Sequence, residues 1–382
     1  MDLAYTPEEE AFRARARRWI EENKPAGEGR HDYESLRAWQ RRLFAAGYLG
    51  AAWPKEWGGA GLSDIEQAIL NEELTRARAP APLGSMGISW VGPAILRFGS
   101  DAQRQRFVPR LLAGDDIWAT GYSEPGAGSD MYNTQTRAVR DGAAWVINGQ
   151  KIWTSLAHAS NWYFLLTRTR SDGHKVAGLS VFLVPMDAPG IEIRPTKMIT
   201  GDSEFSEVFL KDVRVPADSL LGAENQGYEI VSSALIHERS GIASGIRFDH
   251  GLERLLATAR REGVAGDPVW RQRIAELATK ARIMRVMGLR VLSDQLHNRF
   301  NPHTSAAMKC IATRLSQELS EAGMEIEGYH GLLFDPDRAA DEGVAANWCG
   351  RFLYDRSMTI AGGTSEIQRN IVAERVLGLP RR

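Results

Sequence analysis

The sequence predicts an α+β protein in the order helices, strands, helices. An N-terminal helical domain at 1–115 precedes a middle antiparallel β-barrel-like domain at 116–224. A C-terminal helical domain of the four-helix-bundle type follows at 225–382. Three observations predict this. Apolar residues recur at helical spacing through about the first 115 positions. Between about 116 and 222 the period changes to that of short strands punctuated by proline, glycine and aspartate. From Asn225 onward, long helical segments return with short connections, as in an antiparallel bundle.

The elements follow in order. Thr6-Pro7-Glu8-Glu9 is a helix start, with Thr6 as cap, Pro7 in the first helical position and Glu9 completing a capping box. A second helix runs from about Tyr33 to Ala46 and stops near Gly47. Trp53-Pro54-Lys55-Glu56-Trp57-Gly58-Gly59-Ala60-Gly61 reads as a loop. Helical patterns resume at about 64–78, 86–98 and 101–113. Trp145–Trp153 then reads as a hairpin with Asn148-Gly149 at its turn. Further strands are expected at Trp162–Thr167, Leu179–Val184, Ile191–Arg194 and Val208–Val215. Helices are expected at about 226–262, 268–298, 302–334, 338–357 and 364–377.

Composition narrows the function. The 382 residues are 43% hydrophobic with a net charge of −1, long enough for two or three domains with real cores. The balance of charge gives no basic stripe for a nucleic acid. No apolar run approaches the roughly 18–20 residues of a membrane helix. Glu8, Glu9, Glu10, Glu21 and Glu22 argue against a transit peptide. Cys310 and Cys349 match no metal spacing or redox motif, and a reducing cytoplasm is the expected setting.

Four stretches could carry chemistry. Tyr122-Ser123-Glu124-Pro125-Gly126-Ala127-Gly128-Ser129-Asp130 is either a tight surface turn or a loop lying against a ligand. In Lys151-Ile152-Trp153-Thr154-Ser155, Trp153 is either core or the wall for a flat heteroaromatic ring whose edge Ser155 could bond. Ala361-Gly362-Gly363-Thr364-Ser365-Glu366-Ile367-Gln368-Arg369 is a Gly-Gly turn feeding a capped helix. Its free N–H groups could hold anionic or carbonyl oxygens. On the helix after Asn225, an apolar stripe of Val231, Leu235, Ile242 and Gly245 places Glu238 where an apolar residue is due. A carboxylate on a buried face is costly unless paired or used, and desolvation raises its pKa toward that of a general base. Glu238 is thus either a base or the partner of a neighbour such as His237 or Arg239.

Together Tyr122–Asp130, Asn148–Ser155, Gly362–Arg369 and Trp53–Gly61 resemble the acyl-CoA dehydrogenase family across essentially the whole chain. The resemblance implies FAD between the middle and last domains, in a dimer or tetramer. It implies removal of a proton from the carbon α to a thioester, with hydride passing from the β carbon to the flavin and 2-enoyl-CoA as product. The implied acceptor of electrons is an electron-transfer flavoprotein or similar protein. Carried over by position, Tyr122 and Ser123 would touch the flavin edge, Trp153 would flank its ring, and Ser155 would bond near N5. Ser129 would meet the CoA portion, with Arg239 and Ala361 beside the substrate. Thr364 and Glu366 match positions near the FAD diphosphate and adenosine.

Many members carry their base as glutamate where this chain has Gly362. A branch that includes isovaleryl- and long-chain-type enzymes places it on the earlier helix before an arginine, as His237-Glu238-Arg239 does here. The resemblance therefore implies Glu238 as base and the Gly362 N–H as a donor to the thioester oxygen, which needs such donors as charge develops. The small pair Ala361-Gly362 suggests a wide pocket for branched, cyclic or steroid-like acyl groups. Two segments depart from the family: Arg260–Asp267 lacks the R-x-x-F-G pattern, and Glu327-Gly328-Tyr329-His330-Gly331 keeps little of the usual glycine-rich stretch. Both departures point to an altered subunit contact, including a heteromer. A non-catalytic subunit of such a heteromer and a flavin monooxygenase on the same fold are the competing readings.

Overall fold

The computed structural model describes residues 5–27, 31–242, 246–334 and 347–380, with the side chains of 235–242 outside the description. Five helices open the chain: α1 (Pro7–Asn23), α2 (Tyr33–Ala45), α3 (Asp64–Arg76), α4 (Gly92–Phe98) and α5 (Asp101–Ala113). The expected capping box at Thr6 forms, and Ser63 and Ser100 make two more. The helix expected from residue 86 starts as a π turn at Gly87–Val91 before α4. Trp19 stacks on Trp39 at 5.8 Å in this domain's core. Glu73, 1% exposed at its side chain, is bonded by Arg13 and Arg17.

Eight strands follow: β1 (Trp118–Gly121), β2 (Arg137–Asp141), β3 (Ala144–Ser155), β4 (Trp162–Arg168), β5 (Leu179–Pro185), β6 (Ile191–Thr196), β7 (Phe205–Pro216) and β8 (Leu220–Leu221). They form one sheet in the order β6-β7-β3-β2-β4-β5-β8, with β1 beside β4. Pairing is mostly antiparallel, as expected, but β1 runs parallel to β4, and so does β2 where Arg137 meets Arg168. The sheet is therefore mixed. Alternation along β4 and β5 buries both faces: Phe164, Leu166, Val181 and Leu183 pack with the N-terminal helices, and Tyr163, Leu165, Phe182 and Val184 fill the sheet's own interior.

Asn148-Gly149 is not the hairpin turn that the sequence suggested. β3 runs through it unbroken, with a bulge between Ile147 and Gly149 against β7. Asn148 uses its side-chain amide to bond Asp212, accepting from that residue's N–H at 2.8 Å and donating to its carboxylate at 3.0 Å. The turn lies earlier, at Gly142-Ala143 between β2 and β3, where Gly142 takes φ 61°. A Cβ at Gly149 would stand 2.4 Å from Thr136 Oγ1 and 2.7 Å from Thr136 Cα. Gly149→Ala should therefore destabilise by about 1–3 kcal/mol, the usual cost of overpacking. A melting temperature equal to wild type would contradict this.

The last domain contains α6 (Gly227–Ile242), α7 (Ile246–Arg261), α8 (Pro268–Leu296), α9 (Thr304–Glu327), α10 (Trp348–Met358) and α11 (Ser365–Ile371). The helix expected at 226–262 is helical on both sides of 243–245, which lie outside the described residues, as does most of the expected start of α10. Leu255, Leu277, Met284, Leu315 and Trp348 form the bundle core. α9 meets α10 so closely that a Cβ at Gly323 would fall 2.0 Å from the Trp348 ring. α6 packs on the π turn, α4, β5 and α9, so it touches all three domains. No described helix is long and apolar enough to cross a membrane.

Candidate active site

The chain leaves β1 at Tyr122 and enters the glycine-containing loop. Glu124 and Ala127 exchange backbone hydrogen bonds, which closes the loop on itself. The Glu124 side chain turns inward, 6% exposed, and accepts from Gln135 N at 2.7 Å, Thr136 N at 3.0 Å and Lys151 Nζ at 2.8 Å. Lys151, with no exposure, also donates to the Tyr122 carbonyl at 3.1 Å and Thr134 Oγ1 at 3.3 Å. Burial pushes the Lys151 ammonium down to about 8, opposed by Glu124. Burial also works to raise the Glu124 carboxyl, but Lys151 and the N–H donors overcome it and hold the group below its ordinary value. The pair is charged at neutral pH, and it pins the loop to β3. The outer side is open: a Cβ at Gly126 or Gly128 would meet nothing within 4 Å.

β3 then breaks register between Lys151 and Thr154. Lys151 and Thr154 both point inward, and Thr154 Oγ1 bonds Tyr163 Oη at 3.0 Å. Two inward residues separated by two others cannot sit on a regular strand, so the backbone turns left-handed at Trp153, φ 56°. Such a conformation costs about 1–3 kcal/mol in a residue with a Cβ. It leaves the indole 58% exposed, with Phe205 edge-on at 6.0 Å. The core reading of Trp153 fails. The ring is large, flat and held exposed at a strained bulge.

Of the expected site residues, Tyr122, Ser123, Trp153 and Ser155 come together: Ile152 N donates to Ser123 O at 2.9 Å, beside the Lys151–Tyr122 bond. Ser129 is exposed farther along the loop, where Asp130 pairs with Lys175. Ala361, Gly362, Thr364 and Glu366 form a second group at the turn between α10 and α11. Gly362 and Gly363 take φ 65° and 93°, which only glycine adopts readily. Thr364 Oγ1 accepts from Ile367 N at 3.3 Å and caps α11. The N–H groups of Gly362, Gly363 and Thr364 donate to no backbone carbonyl among the described residues. The two groups share a neighbour in the turn at 202–204. Leu156 N donates to Glu204 O just past the end of β3, and Tyr354 on α10 feels Glu204 and Asp202. Burial, helped by those carboxylates, pushes the Tyr354 phenol up to about 12.

Glu238 and Arg239 lie on α6, and their side chains fall outside the described residues. Ahead of them Ile230, Val231 and Ala234 are fully buried, while Ser232 bonds Tyr132 Oη at 3.1 Å. Sequence reasoning missed the Glu124–Lys151 anchor and the buried pair Lys309 and Gln368 behind the Gly-Gly turn. A lysine at the heart of a β-strand was the available signal for the first; nothing local marked the second.

Family models for the acyl-CoA dehydrogenase N-terminal, middle and C-terminal domains match residues 6–115, 119–213 and 225–377. The chain is 41% identical to acyl-CoA dehydrogenase IpdE1 of Mycobacterium tuberculosis, over 97% of this chain and 98% of that protein. It is 30% identical to cyclohexane-1-carbonyl-CoA dehydrogenase of Geobacter metallireducens over 88% of each chain. Among solved structures, the Tcur3481-Tcur3483 steroid ACAD superposes with a TM-score of 0.86 at 32% identity over the whole of both chains. The ChsE4-ChsE5 complex from Mycobacterium tuberculosis gives 0.85 at 32%, also over the whole of both. With three consecutive family domains and relatives matched end to end, this chain belongs to the acyl-CoA dehydrogenase family.

Proposed function

We propose that this chain binds FAD and removes hydrogen from Cα and Cβ of a bulky, cyclic acyl-CoA thioester, with Glu238 as the base. The exposed Trp153 on its left-handed bulge carries the reading: more than half of the indole is open, and among the described residues its ring contact is with Phe205, edge-on. Around it the chain offers the hydroxyls of Ser123 and Ser155 for a heterocycle's edge, and the N–H groups of Gly363 and Thr364 for a diphosphate. The residues fit a flavin nucleotide. When bound, the flavin would take up hydride. Glu238 would take the proton from Cα, and the Gly362 N–H would donate to the thioester oxygen as negative charge develops there. Position 238 continues the helix face of Val231 and Ala234, seven and four residues earlier. Ser129 and Arg239 would hold the CoA thioester, and Glu366 would lie near the adenosine.

Two observations support a bulky acyl group. Two relatives are named for ring-containing substrates, and the small Ala361-Gly362 pair puts no large side chain beside the thioester site. For assembly we propose a heteromer. The two segments that depart from the family touch each other, with Arg261 bonding Glu327 at 2.7 Å. Next to them Tyr329 (91% exposed), Leu332 and Leu333 offer an apolar surface to a second subunit. The Tcur3481-Tcur3483 and ChsE4-ChsE5 structures are each named for two chains. An electron-transfer flavoprotein or similar acceptor would reoxidise the flavin, and the two free thiols suit the cytoplasm.

The test is a flavin spectrum of the purified protein, alone and with a co-expressed partner, followed by anaerobic titration with a panel of acyl-CoAs. Cyclic acyl-CoAs should bleach the flavin, and short straight-chain ones should not. Bleaching restricted to short straight chains would refute the wide pocket. An intact flavin that no acyl-CoA reduces would favour the non-catalytic subunit or the monooxygenase.

A further inference from the structure

The Gly-Gly turn is held from behind by two buried side chains. Gln368, with no exposure, folds its amide back over the start of its own helix, so that Nε2 donates to Gly362 O at 3.0 Å and Gly363 O at 3.3 Å. Lys309, 3% exposed on α9, donates its ammonium to the same Gly363 carbonyl. The fit is close: a Cβ at Gly363 would stand 2.6 Å from Gln368 Nε2. Meanwhile Gln368 Oε1 is shut off from water with no hydrogen-bond partner among the described residues. An unsatisfied buried acceptor is destabilising. The amide's position is therefore explained by what its nitrogen holds.

Across a planar trans peptide, the C=O and the following N–H point in opposite directions. Drawing Gly362 O inward sends the Gly363 N–H outward, and drawing Gly363 O inward does the same for Thr364. Neither N–H reaches a backbone carbonyl among the described residues. The Lys309 ammonium also polarises the Gly363–Thr364 peptide from its carbonyl end, which strengthens the Thr364 N–H as a donor. We propose that Gln368 and Lys309 are positioning residues that aim the Gly363 and Thr364 N–H groups at the anionic diphosphate of the bound flavin nucleotide. The inference rests on the FAD reading above and goes beyond it, by making affinity for the phosphates depend on side chains that never touch them.

The experiment compares FAD with riboflavin, which lacks phosphate, binding to apoprotein prepared from the purified oligomer. Flavin fluorescence reports affinity, and circular dichroism reports melting. Gln368→Leu and Lys309→Met should each weaken FAD at least tenfold and leave riboflavin within about twofold, with apoprotein melting no lower than wild type for Gln368→Leu. Gln368→Glu, which sets a carboxylate against the two carbonyls, should weaken FAD more than Gln368→Leu. Should Lys309→Met fail to fold, Lys309→Gln carries the same expectation. Unchanged FAD affinity in folded variants would overturn the proposal, as would equal losses for FAD and riboflavin. Wild-type apoprotein that binds neither would instead overturn the flavin reading itself.

Discussion

Glu238→Gln should lower acyl-CoA turnover about 10²–10⁴-fold, the contribution a positioned general base makes to proton abstraction. Glutamine keeps the shape and the hydrogen-bonding reach of the carboxylate but cannot take the proton. Flavin content and acyl-CoA binding should therefore stay near wild type while kcat collapses. Two nearby carboxylates and the position of Gly362 are less suited to that role. Glu124, the acidic residue at the heart of the glycine loop, is consumed by Lys151 and two backbone donors. Asp130 is exposed and paired with Lys175. At Gly362, where the family resemblance implies a glutamate in many members, this chain has no side chain to act. Glu238 lies on α6, the helix that touches all three domains. Stopped-flow reduction of the flavin is the direct readout, because it isolates the chemical step from product release.

Lys151→Met should cost about 3–5 kcal/mol, the range for removing one member of a buried ion pair. The loss comes less from the missing attraction than from what remains: the Glu124 carboxylate, still bonded to Gln135 N and Thr136 N, would sit uncompensated beneath the loop. Replacing both residues, Lys151→Met with Glu124→Gln, should cost less than the sum of the single changes, since no buried charge is stranded. The pair also sets an acid limit. Because Glu124 titrates below its ordinary value of 4.5 in the folded chain, its stabilisation is complete above that value. It is lost as pH falls through the lower folded value. Denaturant melts from pH 6 downward should show this loss in wild type and not in Glu124→Gln. Equal acid sensitivity would remove Glu124 from the explanation.

Much of this was legible in the sequence. Local chemistry announces helix starts, so the Thr6 capping box and the Thr364 cap stand where their residue types put them. Hydrophobic period separated strands from helices because period follows burial. Asn-Gly misled because the same pair serves a tight turn and a bulge, and only the partner strand decides between them. Here Asp212, more than sixty residues later, draws Asn148 into the ladder. Trp153 could not be placed from composition, since an aromatic residue on a strand is core unless the register slips; the slip depends on Lys151 and Thr154 both needing buried partners. Lys309 and Gln368 were invisible for a similar reason. Their role lies in which carbonyls they reach, and α9 meets the Gly-Gly turn only in three dimensions.

In the proposed reaction a flavin on Trp153 and a carboxylate at 238 act together on a ring-bearing thioester. The measurement that tests it most directly is anaerobic single-turnover mixing of the flavin-loaded protein, wild type and Glu238→Gln, with a cyclic acyl-CoA. Wild type should lose its flavin absorbance in one fast phase and release a 2-enoyl-CoA, with the variant slower by at least a hundredfold. Equal rates in the two proteins, or no bleaching of a fully loaded wild type, would contradict the account.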